Sequence, residues 1–333
     1  MSDRIPATVV TGFLGAGKTT LIRNLIRHAR GRRIAVIVNE FGDMGFDGGL
    51  LSDCDDDACR PDQIVELTNG CICCTVADEF LPTMEALLAR DPVPDHIVIE
   101  TSGLALPQPL VQAFNWPSVR HRVTVDGVVT VVDAVAVSEG RFAPEAAAPP
   151  DPARTHDNPV EELFEDQLRC ADLVVLSKAD LVDADALAGV EEAVAREARP
   201  GVSALRSSGN GLPAEILLGL SAAAEADLSG RESHHELEGE EHDHDDFDSF
   251  VATPATFPSL DALRRRVSAA LTVPGVLRIK GYARVEGRAA PVVVQAVGAR
   301  VETYFSPMPA RDGLVVIGLR DLDRAAAAAR LAG

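Results

Sequence analysis

Gly12-Phe13-Leu14-Gly15-Ala16-Gly17-Lys18-Thr19, near the start of a 333-residue chain, restricts the fold more than any other feature. The spacing is G-x4-G-K-[ST], which works only between a buried strand and the first turn of a helix. Thr8-Val9-Val10 reads as that strand and residues 18–30 as that helix. Glycines there let successive backbone N–H groups curl around a phosphate, and the helix N-terminus adds partial positive charge. Lys18 is expected to reach β- and γ-phosphates and the Thr19 hydroxyl to hold Mg2+. Gly12, Gly15, Ala16, Gly17 and Thr20 complete the expected nucleotide contact.

The rest of the first 220 or so residues suits such a loop. Strand-like Val/Ile runs recur at 34–38, 63–67, 96–101, 128–133, 173–177 and 202–206, mostly with helix-like segments between them. Continuous rather than alternating apolar runs predict strands covered on both faces. The fold class expected is therefore α/β, a doubly wound and mostly parallel sheet. Residues 143–159 break the pattern as a Pro-rich loop or insertion. Residues 231–248 hold nine acids, one arginine and His234, His235, His242 and His244, a composition that builds no core. The expected division is a nucleotide domain over 1–225, an acidic, His-rich linker over 226–248 and a small α+β domain over 249–333.

Five further segments bear on chemistry. Ser177-Lys178-Ala179-Asp180 follows an apolar run where a base would be read, and the Asp180 carboxylate can accept both N1–H and N2–H2 of guanine. The usual form is Asn-Lys-x-Asp, so Ser177 is expected to lose an amide that braces the glycine loop and the base. Glu100-Thr101-Ser102-Gly103 ends a strand, where a carboxylate sits beside Mg2+ and a glycine senses the γ-phosphate. Asn39-Glu40-Phe41-Gly42-Asp43 ends another, where Glu40 or Asp43 is placed to orient water or meet a metal. Lys18, Glu40 and Glu100 form the expected catalytic set. Asn69-Gly70-Cys71-Ile72-Cys73-Cys74 puts three thiols in four positions, a donor set for Zn2+ or Co2+ that needs further ligands from elsewhere. The metal-ligand set expected is Cys71, Cys73 and Cys74 for the cargo and Thr19 and Glu100 for Mg2+. Cys54-Asp55-Asp56-Asp57-Ala58-Cys59 reads equally as an auxiliary metal site or a solvated acidic loop.

Lys+Arg is 31 against Asp+Glu 51, a formal net charge of −20, which argues against nucleic acid or an anionic membrane as partner. No apolar run approaches the ~18 residues of a membrane span, and the first residues lack the pattern of a secretory signal. Six cysteines are too few for a disulfide scaffold, so a cytoplasmic protein with reduced thiols is expected.

Taken in order, GFLGAGKTT, NEFG, NGCICC, IETSG and the x-Lys-x-Asp element resemble the CobW family of P-loop GTPases, over essentially the whole chain. The resemblance implies a GTPase that binds Co2+, or Zn2+, together with Mg·GTP and releases it on hydrolysis. It also implies a metal-accepting client, cobaltochelatase in corrin synthesis, with a homodimer as a possible assembly. The alternatives are a zinc carrier of the same family, a metal buffer with a structural nucleotide, and a small-molecule kinase with a structural zinc.

Overall fold

A computed structural model describes residues 4–28, 31–39, 64–67, 80–141, 159–208, 212–233, 247–252, 256–297, 300–306 and 312–332. Glu40, Asp43, the cysteines at 54, 59, 71, 73 and 74 and the histidines at 234, 235, 242 and 244 lie outside these residues. The described residues fall into two compact units.

The first unit is built on β1 (Ile5–Thr11), β2 (Ile34–Asn39), β3 (Ile64–Leu67), β4 (His96–Glu100), β5 (Val123–Asp133), β6 (Leu173–Ser177) and β7 (Ser203–Arg206). They form one sheet in the order β3-β2-β4-β1-β5-β6-β7, every pairing parallel. The unbroken apolar runs bury both faces. Ala7, Val9, Ile37, Ile97, Ile99 and Val125 pack with Phe80, Met84, Leu87, Leu110 and Phe114. Their sequence neighbours Val10, Val36, Val38, Val98, Val129 and Val131 pack with Leu21, Ile22, Leu25 and Ile26 of the helix Lys18–His28. Both layers are what a doubly wound sheet requires. The chain order places β1 at the reversal of winding, between β4 and β5, where ligands of open α/β sheets bind beyond the strand C-termini.

Strand β5 begins at Val123, five residues before the apolar run that marks it in the sequence. Asp126 and Gly127 separate that run from Val123-Thr124-Val125, yet both are structural. The buried Asp126 carboxylate accepts from Leu220 N at 3.1 Å and Ser221 N at 2.9 Å, and a Cβ on Gly127 would meet Leu220 Cδ1 at 2.6 Å. The expected linker also starts later than residue 226. Arg231 and Ser233 are buried, and Arg231 pairs with Asp172 at 2.6 Å, so the chain is still anchored on the first unit there. Pro159, expected in the loop, instead opens the helix Pro159–Cys170, where a first-turn proline loses no hydrogen bond.

The second unit has β8 (Phe247–Ala252), β9 (Val276–Ala283), β10 (Val292–Val297), β11 (Arg300–Phe305) and β12 (Gly313–Leu319) in the antiparallel order β11-β10-β9-β12-β8. Leu263, Val267, Ala327 and Leu331 of the helices Leu260–Leu271 and Arg324–Ala332 pack on Ile279, Val292, Val294, Leu314 and Val316. The α+β expectation agrees. Arg-Val-Glu-Thr-Tyr-Phe is an edge strand whose charged residues break the apolar signal in the sequence.

His96 gives the first unit an acid sensitivity. It is buried, bonded through Nε2 to Thr8 Oγ1 at 2.8 Å, and burial lowers its pKa to about 4, opposed by nearby Asp126 and assisted by Arg32. The unfolded chain protonates this ring near 6.5, so stability present above that pH is lost as pH falls toward 4, by about 3 kcal/mol. His96→Leu should flatten thermal-midpoint loss between pH 7 and pH 4.5; an unchanged slope would assign the loss to other groups.

Candidate nucleotide site

The loop between β1 and the helix Lys18–His28 is tied down from four directions. Gly12 has φ +131°, and a Cβ there would lie 2.1 Å from Val131 O of β5, so only glycine permits this contact. Gly103, after β4, plays the same part on the other side: its Cβ would stand 2.8 Å from Leu14 N. Inside the loop the buried Lys18 Nζ donates to Gly12 O at 2.7 Å and Phe13 O at 3.3 Å. Beyond β6, Ser177 Oγ donates to Ala16 O at 2.6 Å. The amide is missing, as the sequence says, and the Ser177 hydroxyl braces the glycine loop in its place.

Glu100 ends β4 opposite Val10 of β1, and only 3% of it is exposed. It accepts from Thr19 Oγ1 at 2.9 Å. Two hard oxygen donors side by side at the mouth of a phosphate loop form a set that fits Mg2+ and suits a soft ion poorly. Thr20 is exposed at the third helical position. Lys178 has left-handed backbone, φ 57° and ψ 25°, which turns the chain into the short turn Ala179–Leu181 and leaves Asp180 exposed. Its Nζ reaches back to Gly15 O at 2.9 Å and pairs with Asp133 at the end of β5. The structure thus brings together Gly12, Gly15, Ala16, Gly17, Lys18, Thr19, Glu100 and Lys178.

The sequence assigns no role to three further contributors. Asp133 reads there as an ordinary strand end. Thr101 Oγ1 donates to Thr11 Oγ1 at 2.9 Å, locking the ends of β4 and β1 together. Gln167, 1% exposed, donates through Nε2 to Gly103 O and Ala105 O, both at 3.3 Å, and holds the segment after Glu100. A signal for Gln167 existed: it is a polar residue on the stripe Val160, Leu163, Phe164 and Leu168 that faces inward. Among the described residues no group of three His, Cys, Asp or Glu side chains could hold a metal, and no helix is long and apolar enough to cross a membrane. Cys170 is buried, and burial pushes its thiol up to about 12, which leaves it protonated and unreactive.

A glycine loop at the winding reversal, continuous with a buried lysine and a threonine on a strand-end carboxylate, defines a P-loop nucleotide-binding domain. Residues 6–206 match the CobW/HypB/UreG nucleotide-binding domain and residues 247–333 the C-terminal domain of the cobalamin synthesis protein cobW. The chain belongs to the CobW family. It is 52% identical to a protein of Sinorhizobium sp named zinc chaperone CobW, over 98% of this chain and 96% of that one. It is 48% identical to a Pseudomonas aeruginosa protein of the same name, over 98% and 91%. A Schizosaccharomyces pombe protein named zinc-regulated GTPase metalloprotein activator 1 is 35% identical over 58% of this chain and 43% of its own length.

Proposed function

We propose that the chain is a GTP-dependent metallochaperone. It binds Mg·GTP along Gly12–Thr20, with Lys178 and Asp180 at the base, and takes up a metal ion on Cys71, Cys73 and Cys74. It then hydrolyses GTP to GDP and phosphate and passes the ion to a metal-accepting client in the cytoplasm. Zn2+ is the cargo favoured, because the two relatives that span 98% of this chain are both named zinc chaperones. Thiolate chemistry agrees, since such sites hold Zn2+ more tightly than Co2+. The cobalt alternative, with cobaltochelatase as client, has behind it the resemblance and the description of the C-terminal domain.

The observation that carries the reading is one register row across the sheet. Glu66 of β3, Val38 of β2, Glu100 of β4 and Val10 of β1 lie side by side. All four strands are parallel, so their C-terminal ends share an edge, with β3 about 10 Å from β4. Leu67 closes β3 at that edge, and Cys71 follows four residues later in the sequence. Glu40 follows directly on Asn39 at the end of β2. The chain thus leaves the described sheet toward Glu40 and toward Cys71, Cys73 and Cys74 from the same edge that carries the Thr19–Glu100 pair, which supports the reading.

In this reading the Lys18 ammonium moves from the Gly12 and Phe13 carbonyls to phosphate oxygens, where it stabilises charge developing during hydrolysis. Thr19 and Glu100 would hold Mg2+, which when bound offsets the negative charge of the phosphates. Glu40 orients the attacking water. If the γ-phosphate tightens metal binding, metal tightens GTP binding by the same factor.

A competition titration on reduced, Mg·GTP-loaded protein tests the cargo. One equivalent of Zn2+ should remove the thiolate-to-Co2+ charge-transfer band of cobalt-loaded protein, and Cys71→Ser, Cys73→Ser or Cys74→Ser should weaken that band from the start. Cobalt retained against equimolar Zn2+ would reverse the cargo. Bands unchanged in all three variants would move the site elsewhere.

A further inference from the structure

We propose that Asp133 is a positioning residue of the nucleotide site, holding the Lys178 ammonium against the glycine loop so that the phosphate and base subsites keep a fixed separation. The inference rests on the GTPase reading above. Asp133 is the last residue of β5, paired in register with Ser177 of β6, and is 8% exposed. Both carboxylate oxygens are engaged. Oδ1 accepts from Val135 N at 3.1 Å and Ala136 N at 3.2 Å, capping the helix Ala134–Ser138, while Oδ2 pairs with Lys178 Nζ. The carboxylate is thus fully committed to the protein and acts on a nucleotide only through its partner.

Lys178 is the part that needs holding. Its backbone, left-handed at φ 57°, begins the turn that presents Asp180, and its Nζ donates to Gly15 O at 2.9 Å. One side chain thereby spans from the base-reading segment to the phosphate loop. A lysine stem is flexible and its ammonium strongly hydrated, so a single carbonyl is a weak anchor. The Asp133 carboxylate supplies a charge-assisted bond at the same nitrogen. The neighbouring Ser177 hydroxyl adds a parallel tie to Ala16 O. Val132, Asp133, Ser177 and Lys178, from the ends of β5 and β6, clamp Gly15 and Ala16; Val132 enters through its carbonyl, 3.2 Å from Ser177 Oγ.

Asp133→Asn in the full chain separates positioning from capping, because asparagine caps a helix as well as aspartate but carries no charge. The KM for Mg·GTP should rise about tenfold while kcat falls less than threefold. The preference for GTP over xanthosine triphosphate should not change, and the thermal midpoint without nucleotide should move by less than about 3 °C. Lys178→Met should raise KM to a similar degree, and the double variant should add nothing further. An unchanged KM in Asp133→Asn, or losses that multiply in the double variant, would overturn the assignment. A lower midpoint with unchanged KM would leave Asp133 as a helix cap alone. Parent protein that fails to turn over GTP would defeat the underlying reading as well. Turnover that is lost in Lys18→Ala but indifferent to Asp133→Asn would defeat this inference only.

Discussion

Lys18→Ala should reduce GTP turnover by at least about 100-fold, the cost of removing one preorganised donor from a developing oxyanion. The side chain is 5% exposed and its ammonium lies on the Gly12 and Phe13 carbonyls, so the charge is already stored inside the loop. Alanine also strips those two carbonyls of their donor, which costs about 1–2 kcal/mol of stability. Lys18→Met, which keeps the stem, should lose the same turnover with a smaller shift in thermal midpoint. Circular dichroism of both variants should match the parent, because the helix behind the loop is held by Leu21, Ile22, Leu25 and Ile26. A variant with parental turnover would remove the phosphate role of Lys18.

Asp180→Asn should exchange the nucleotide preference: GTP affinity falls by at least about 100-fold, and xanthosine triphosphate gains by a comparable factor. Asp180 is exposed in the turn Ala179–Leu181, so the substitution disturbs no core packing. Guanine offers two N–H donors to a carboxylate. Xanthine carries a carbonyl in place of the exocyclic amine, and an asparagine amide can donate to it. A parent that binds ATP as tightly as GTP, or a variant with unaltered preference, would take the base contact away from Asp180.

The glycine loop and the Val/Ile strands are readable in one dimension because their signals are local: a fixed spacing, or an unbroken apolar run. Ser177 is different. Its bond to Ala16 O joins residues 161 positions apart and exists only because β6 ends beside the loop. Asp133 and Gln167 escape for the same reason, since each works on carbonyls or charges brought to it by the sheet. Strand β11 has its edge charges against it, and β5 its buried Asp126. The thiol segment is the reverse case, conspicuous in sequence but outside the described residues.

In the proposed cycle nucleotide state sets metal affinity. The direct measurement is the Zn2+ dissociation constant, by chelator competition, of the full-length protein with Mg·GTP held by a non-hydrolysable analogue and again with Mg·GDP. To pass from a site about 99% filled to one about 99% empty at constant free Zn2+, the two constants must differ by about 10⁴, or roughly 5.5 kcal/mol. A difference of that order is expected, abolished when Cys71, Cys73 and Cys74 are replaced by serine. Equal Zn2+ affinity in the two nucleotide states would contradict it.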